Sequence, residues 1–421
     1  MAAVNAPRGM RDFLPADKNR RERVLAVIRE RYRAHGFDEI ETPVMEEHAR
    51  LHAGIGGDNE KLAFNVLRRG LTPEKITAAA DDQSALTDLG LRYDLTVPLS
   101  RFYASNRADL PGVFRSVQIA PVWRAERPQK GRYRQFVQCD IDIIGDASSR
   151  AEVELLAASL DTFDALGLND VVIRINDRRA LDAMLDVFGF PVDERPGVLI
   201  TIDKLDKIGP TGVAAELRER GATADAVDAF ESFLGREPSE QSRFGEAQIR
   251  AALPTGVPDE VVAHLVGIGD AVGASASLEF DPFLVRGMGY YTGTIFEVAH
   301  SSVGYALGGG GRYDGMIGRF LGQDVPAVGF SIGFERIVDL VELTEAESAE
   351  AVVLVHDKDV PVVELVSLKA ALIAEGTRVR LEQRTNNLKN LLARAESDGY
   401  TAFAAVRAGQ TRAELELKPL G

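Results

Sequence analysis

The sequence predicts an α+β fold: an antiparallel sheet flanked by helices, with a mostly helical insertion and a small C-terminal α/β domain. Three observations predict it. Two strand-like stretches, FRSVQIAPVWRAE (114–126) and FVQCDIDII (136–144), flank a turn containing Pro128 and Gly131, so the chain folds back on itself there. From residue 151 to 275 the pattern becomes mostly helical, as in AEVELLAASLDTFDALG and DEVVAHLVGIGDAVG. A polar run, EAESAE (345–350), then reads as a linker, and residues 352–418 alternate strand, helix, strand, helix, strand, strand. The expected layout is a first part of the core over 1–150, the insertion over 151–275, a second part of the core over 276–344 and the tail domain over 351–421.

The elements follow in order. Residues 18–35 carry a charged amphipathic helical pattern that ends near Gly36. GFDEIETPVM reads as a turn and a short strand with a strand-compatible Pro43. Residues 56–90 look irregular, with an exposed insertion at TPEKITAAADDQSALTDLG. LRYDLTVPL (91–99) reads as a strand that places Arg92, Asp94 and Thr96 on one face. Past the insertion, LEFDPFLVRGMGYYTGTIFEVAH returns to strand, and GGGGRYDG (308–315) reads as a glycine-dense loop. That loop matches neither the G-x-x-x-x-G-K-[ST] nor the G-x-G-x-x-G pattern followed by a helix. Its glycines let backbone pack close to a ligand or to another strand.

A formal net charge of −15 argues against non-specific coating of nucleic acid. With 45% hydrophobic and 27% charged residues the composition is ordinary for a globular protein. No apolar run approaches the roughly 20 residues of a membrane helix, and the N-terminus lacks a signal-peptide core, so a cytoplasmic location is expected. The single cysteine, Cys139, excludes an internal disulfide and a Cys-based zinc site. His48 and His52 are four apart, but HARLH lacks the Glu of H-E-x-x-H, so no metal is expected from protein clusters.

Against this acidic background, WRAERPQKGRYRQF (123–136) gathers Arg124, Arg127, Lys130, Arg132 and Arg134 around a turn. Such a cluster repels itself unless an anion sits among its members, and the guanidinium fork suits phosphate oxygens. Alternation along 136–144 puts Phe136, Gln138, Asp140 and Asp142 on one face, with Val137, Cys139, Ile141 and Ile143 on the other. Phe136 offers a flat surface for stacking a base. Polar strand faces, cationic turn and glycines together suggest a sheet flooring a pocket for a small zwitterion and a polyphosphate.

At this point the pieces resemble a known family. TPVM after the first helix, FRSVQIAPVWRAERPQKGRYRQF and VGFSIGFERI look like motifs 1, 2 and 3 of the class II aminoacyl-tRNA synthetases. LVRGMGYYTGTIFEV and GGGGRYDGMIG are similar to the two signatures peculiar to the histidyl-tRNA synthetases, and all five come in that family's order. The resemblance implies a class II synthetase-like sheet, with an anticodon-binding-like tail domain shorter than is usual. It implies ATP, with Mg2+, L-histidine and tRNA(His) as partners, a homodimer, and no membrane.

By resemblance, Arg124 and Arg286 would hold the α-phosphate from opposite sides as the catalytic pair. Glu126 and Phe136 would lie at the adenine, and Arg132 and Arg336 at the γ-phosphate. Asp94, Thr96 and Gln138 would engage the ammonium and carboxylate of histidine. Asp142 and Tyr291 would bind its imidazole beside Tyr313, and Pro43 would lie at the dimer interface. Gly289 in RGMGYY stands where the family commonly has Asp, from which altered strand packing is expected. Two alternatives share the likeness: a non-catalytic regulatory subunit of ATP phosphoribosyltransferase, and an adenylating paralogue with a non-tRNA acceptor.

Overall fold

The expected hairpin forms, as two neighbouring strands of the large sheet. The computed structural model describes residues 4–52, 62–79, 82–128, 131–234, 244–273, 277–286, 290–342 and 350–420. The chain divides into two units, residues 1–11 with 26–341 and residues 12–25 with 342–421. In the first unit β1 (Asp38–Glu39), β2 (Met45–Glu47), β3 (Phe64–Leu67) and β4 (Thr87–Leu91) precede the hairpin pair β5 (Phe114–Trp123) and β6 (Gln135–Ile144). Then come β7 (Val171–Asp177), β8 (Leu278–Phe280), β9 (Thr294–His300), β10 (Val303–Arg312) and β11 (Ala327–Gly333).

An eight-stranded sheet has the order β1-β5-β6-β11-β10-β9-β7-β8. Its centre is antiparallel from β5 to β7, and β1 and β8 add in parallel at the edges. The β5–β6 register runs unbroken from Phe114 opposite Ile144 to Trp123 opposite Gln135. Alternation on β6 is as read: Cys139, Ile141 and Ile143 are wholly buried on one face. The helix Arg150–Ala165 packs on β6 and β11. Each fully buried Ile or Phe stabilises such a layer by about 1.5–3 kcal/mol.

Three local readings need correction. The stretch 91–99 is not a strand: β4 stops at Leu91 and Thr96–Asn106 is a helix. The Asp94 side chain accepts a hydrogen bond from the Val97 N–H at 3.2 Å, and Pro98 sits in the first turn, where no backbone N–H is needed. Second, residues 56–90 are less irregular than expected, since β3 and β2 both pair with β4. The helix Pro73–Ala78 within them is exposed, as anticipated. Third, the mostly helical span contains β7, which joins the large sheet between β9 and β8.

The glycine-dense segment is also strand rather than loop. Gly308–Gly311 lie in β10, paired with β9 on one side and β11 on the other. Neighbouring backbone approaches closely there: a Cβ on Gly310 would come within 2.0 Å of the Gly329 carbonyl oxygen. Among the described residues no helix is long and apolar enough to cross a membrane.

The second unit carries β12 (Ala351–His356), β13 (Arg378–Gln383), β14 (Ala402–Val406) and β15 (Lys418–Pro419) in the order β13-β12-β14-β15. β12 is parallel to both neighbours and is buried on both faces. Val352 and Leu354 join Leu365, Leu368 and Leu372 of the helix Val362–Ala374. Val353 and Val355 join Ala395 of the helix Leu388–Ser397. A continuous apolar strand between two helices is what a parallel sheet requires. The order of strands and helices is the one read from the sequence.

Gly310→Ala is expected to destabilise the protein by about 1–3 kcal/mol, because backbone must move to admit the methyl. Gly315→Ala, where a Cβ meets nothing within 4 Å, serves as the control and leaves the thermal unfolding midpoint unchanged or slightly raised.

Candidate active site

The large sheet carries a hollow because glycine and serine stand beside the carboxylates in two of its rows. Asp142 on β6 is opposite Gly329 on β11, which is opposite Gly311 on β10. One step along, Asp140 is opposite Ser331, and Ser331 is opposite Gly309. With only glycine and serine beside the carboxylates, a cavity of about 310 Å³ opens over the strands. Side chains from flanking segments fill the freed surface. The ring of Tyr291 lies over Gly311, where a Cβ would meet its Cδ1 at 3.0 Å. The guanidinium of Arg286 lies over Gly309, where a Cβ would meet Nη1 at 3.3 Å.

Three aspartate carboxylates line the cavity. Asp94, Asp140 and Asp142 all line it, beside Thr96, Gln138, Tyr290, Tyr291 and Tyr313. The Tyr313 hydroxyl donates to Asp142 Oδ1 at 2.6 Å, and the same oxygen lies over Gly329, where a Cβ would sit 2.0 Å from it. Burial pushes the Asp142 carboxyl up to about 7, with the Tyr313 bond pulling it down and Asp94 pushing it further up. Asp140 is raised well above the carboxylate range by burial and then by Asp142. Asp94 is raised by burial, opposed by its bond from Val97 and by Arg124. Gln138 Nε2 donates to Ser331 Oγ at 3.2 Å and to Asp140 at 3.3 Å. The Tyr290 hydroxyl is raised to about 12 by burial, so it serves as a donor at neutral pH.

Four arginines line the cavity as well. Arg124, Arg132, Arg286 and Arg336 line it, the first two from the cationic turn, Arg286 from the segment before β9 and Arg336 from the helix Phe334–Ile337. Arg124 Nε donates to the Tyr93 carbonyl at 2.9 Å, and its guanidinium lies 5.0 Å from the Phe136 ring centre. Arg132 Nε lies 3.1 Å from Glu126 Oε2. Arg286 pairs with Glu297, and Arg336 donates to the Ala306 carbonyl. Arg336 is pushed below the ordinary arginine value first by burial and then by the charges of Arg286, Arg132 and Arg124. Three of the cations therefore bear on the fourth.

The cationic turn is tied at its ends. Arg124 N donates to Arg134 O at 2.8 Å, and Arg134 Nε returns to the Glu126 carbonyl at 3.0 Å. The N-terminal segment braces it: Arg134 N donates to Gly9 O at 2.8 Å, Arg11 stacks 3.6 Å from the Tyr133 ring centre, and Arg11 also pairs with Glu335.

Every ligand-contacting residue expected from the sequence lines this cavity: Asp94, Thr96, Arg124, Glu126, Arg132, Phe136, Gln138, Asp142, Arg286, Tyr291, Tyr313 and Arg336. Pro43 lies elsewhere; it is exposed, and its carbonyl accepts from the buried Arg92 at 3.2 Å. Arg92, read as sharing a polar strand face with Asp94 and Thr96, instead braces backbone at Thr42 and Pro121. Of the cationic turn, Arg127 is exposed and Lys130 lies outside the described residues, as does Gly289. Asp140, Tyr290, Ser331 and Glu335 line the cavity too, beyond the residues expected there. Asp140 carried a usable signal, because it alternates with Gln138 and Asp142. Glu335 carried none, since only the fold brings it to Arg11.

Arginines and carboxylates brought to one cavity over an antiparallel sheet, with the motif-like segments around it, fit the class II aminoacyl-tRNA synthetase architecture that the resemblance implies. The model of the histidyl-tRNA synthetase family matches residues 9–337. A histidine–tRNA ligase of Leifsonia xyli subsp. xyli is 58% identical over 426 aligned positions, covering 99% of this chain and 98% of that protein. The crystal structure of a histidyl-tRNA synthetase from Nostoc sp. PCC 7120 superposes with a TM-score of 0.76 at 26% identity, covering 100% of this chain and 95% of that one. A Bacillus halodurans structure described as an ATP phosphoribosyltransferase regulatory subunit/histidyl-tRNA synthetase has the same TM-score, 0.76, over 96% of this chain and 99% of that one, and at 22% identity shares the fold. The chain belongs to the histidyl-tRNA synthetase family.

Tyr313→Phe removes the hydroxyl that favours ionised Asp142, so the titration of that carboxyl moves upward from about 7. Below that pH both proteins hold the proton and differ little. Above it the wild type ionises Asp142 with its donor in place, which the variant does only at higher pH, so the variant falls behind by up to about 1.5–3 kcal/mol. Denaturant unfolding at pH 5.5 and pH 8.5 checks this, the difference being expected only at the higher pH.

Proposed function

We propose that the cavity seats ATP over its arginines and L-histidine over its carboxylates, and that the two are joined there as histidyl-adenylate before transfer to tRNA(His). Membership of the family makes the chain an ATP-dependent ligase acting on histidine and tRNA. Our proposal concerns which residues do what. The observation that carries it is the convergence of Arg124, Arg132, Arg286 and Arg336 on one cavity that also holds Asp94, Asp140 and Asp142.

In the first half-reaction a carboxylate oxygen of histidine attacks the α-phosphorus of ATP. A new O–P bond forms, and the bond to the bridging oxygen breaks, pyrophosphate leaving with the electron pair. Both reactants are anions, so fixed cations around the phosphorus lower the barrier. We assign Arg124 and Arg286 to opposite sides of the α-phosphate, and Arg132 and Arg336 to the γ-phosphate end. Phe136 stacks on the adenine, with Glu126 at its edge. ATP arrives as its Mg2+ complex, the ion being carried largely by phosphate oxygens and water. No side-chain nucleophile is required.

At the other end Asp142 accepts an imidazole N–H, oriented by Tyr313, and Tyr291 supplies a second polar contact. Asp94, Thr96 and Gln138 take the ammonium and carboxylate groups. An apolar amino acid would leave these buried groups unpaired, which is a strong basis for rejection. In the second half-reaction a terminal ribose hydroxyl of the tRNA attacks the carbonyl carbon and AMP departs. We assign the C-terminal unit to the anticodon arm and the cytoplasm as the site of action.

The regulatory-subunit and non-tRNA alternatives are not favoured, because the cavity keeps its full set of arginines and the close ligase relative aligns along the whole chain. We also propose a homodimer through the exposed run Pro43, Val44 and Met45, of which Val44 is 41% and Met45 46% exposed. Met45→Asp is expected to shift the sedimentation coefficient from dimer to monomer.

Arg286→Ala is expected to lower histidine-dependent ATP–pyrophosphate exchange by about 10²–10³-fold while histidine still binds by calorimetry. Exchange near the wild-type rate would remove Arg286 from the catalytic pair. Charging of tRNA(His) transcript separates the ligase from an adenylating paralogue, which would exchange without charging.

A further inference from the structure

We infer that Glu297 is a positioning residue for Arg286, holding its guanidinium over Gly309 so that the group is already in place when ATP enters. The inference rests on the role proposed above for Arg286. Arg286 Nε donates to Glu297 Oε2 at 2.7 Å, and Nη2 reaches the same oxygen. Glu297 lies on β9 directly opposite Gly309 of β10. The missing side chain at Gly309 gives the guanidinium a flat seat, and the neighbouring carboxylate fixes it there by one edge. Among the described residues Nη1 makes no hydrogen bond, which leaves that side of the fork for an incoming oxygen.

A carboxylate devoted wholly to Arg286 would compete with phosphate for it. The sheet divides that carboxylate's attention. Arg174 on β7 is directly opposite Glu297, with Nη1 3.8 Å from Glu297 Oε1. Arg174 in turn faces Glu279 at 3.9 Å, Asp281 at 3.8 Å and Asp206 at 3.9 Å. Charge thus alternates along one row, Glu279, Arg174, Glu297, Arg286, and a phosphate at the cavity end continues the alternation. One oxygen of Glu297 orients Arg286 while the other is drawn toward Arg174. Orientation is kept without quenching the cation.

The test is ATP–pyrophosphate exchange by Glu297→Gln, Arg286→Ala and the double variant, with histidine KM and thermal midpoint measured on each. Glu297→Gln is expected to lower kcat about 10- to 100-fold, as for an angstrom-scale misplacement, with the histidine KM and the midpoint close to wild type. The double variant is expected to be no slower than Arg286→Ala alone, since the two residues act as one unit. Glu297→Asp keeps the charge with a shorter reach and is expected to fall between wild type and Gln; it takes the place of Gln if that variant fails to fold. Wild-type kcat in folded Glu297→Gln, or losses that multiply in the double variant, would overturn the inference. If Arg286→Ala itself exchanges normally, the assignment of Arg286 fails instead, so the two failures are told apart.

Discussion

Four guanidinium groups share one cavity in this protein, and their mutual repulsion has to be borne by the scaffold. Arg336 registers it directly, being pushed down by Arg286, Arg132 and Arg124 after burial has acted. Each arginine is tethered separately, to the Tyr93 carbonyl, Glu126, Glu297 or the Ala306 carbonyl. An anion placed among them removes the repulsion, and ligand binding then adds directly to the stability of the folded state.

The carboxylate end poses the same problem with the opposite sign. Asp140 and Asp142 are buried two residues apart on one strand face, with Asp94 close enough to raise Asp142 further. A cationic ligand group answers that repulsion as phosphate answers the other. A zwitterion beside a polyphosphate is the pair of ligands that satisfies both ends at once.

Both ends depend on the sheet being bare. Glycine at 309, 311 and 329 and serine at 331 leave room for the side chains of Arg286, Tyr291 and Asp142, and for the ligands above them. Strand interiors lose stability through such glycines. Packing of the opposite face compensates, where Cys139, Ile141 and Ile143 are wholly buried. Local sequence rules are broken where the site needs space and kept where the core needs filling.

Much of this was legible in residues alone. Alternation along 136–144 assigned the apolar and the polar face of β6, because side chains on a strand must point to opposite sides. The cationic turn announced an anion site, because so many like charges cannot gather without one. Strand and helix order in the C-terminal unit followed from periodicity. Tertiary structure decided the rest. Asp94 and Thr96 reach the cavity from the head of a helix, and not from a strand face, because a side-chain bond to the Val97 N–H ends the extended run. Gly308–Gly311 form a strand because two neighbouring strands supply the hydrogen bonds that glycine's weak preference does not. Glu297 and Glu335 meet Arg286 and Arg11 only through pairings across the sheet and to the N-terminal segment. Sequence determined which chemistry each segment carries, since charge and periodicity are local; which partner each charge meets depends on register between distant strands, and register exists only once the sheet has formed.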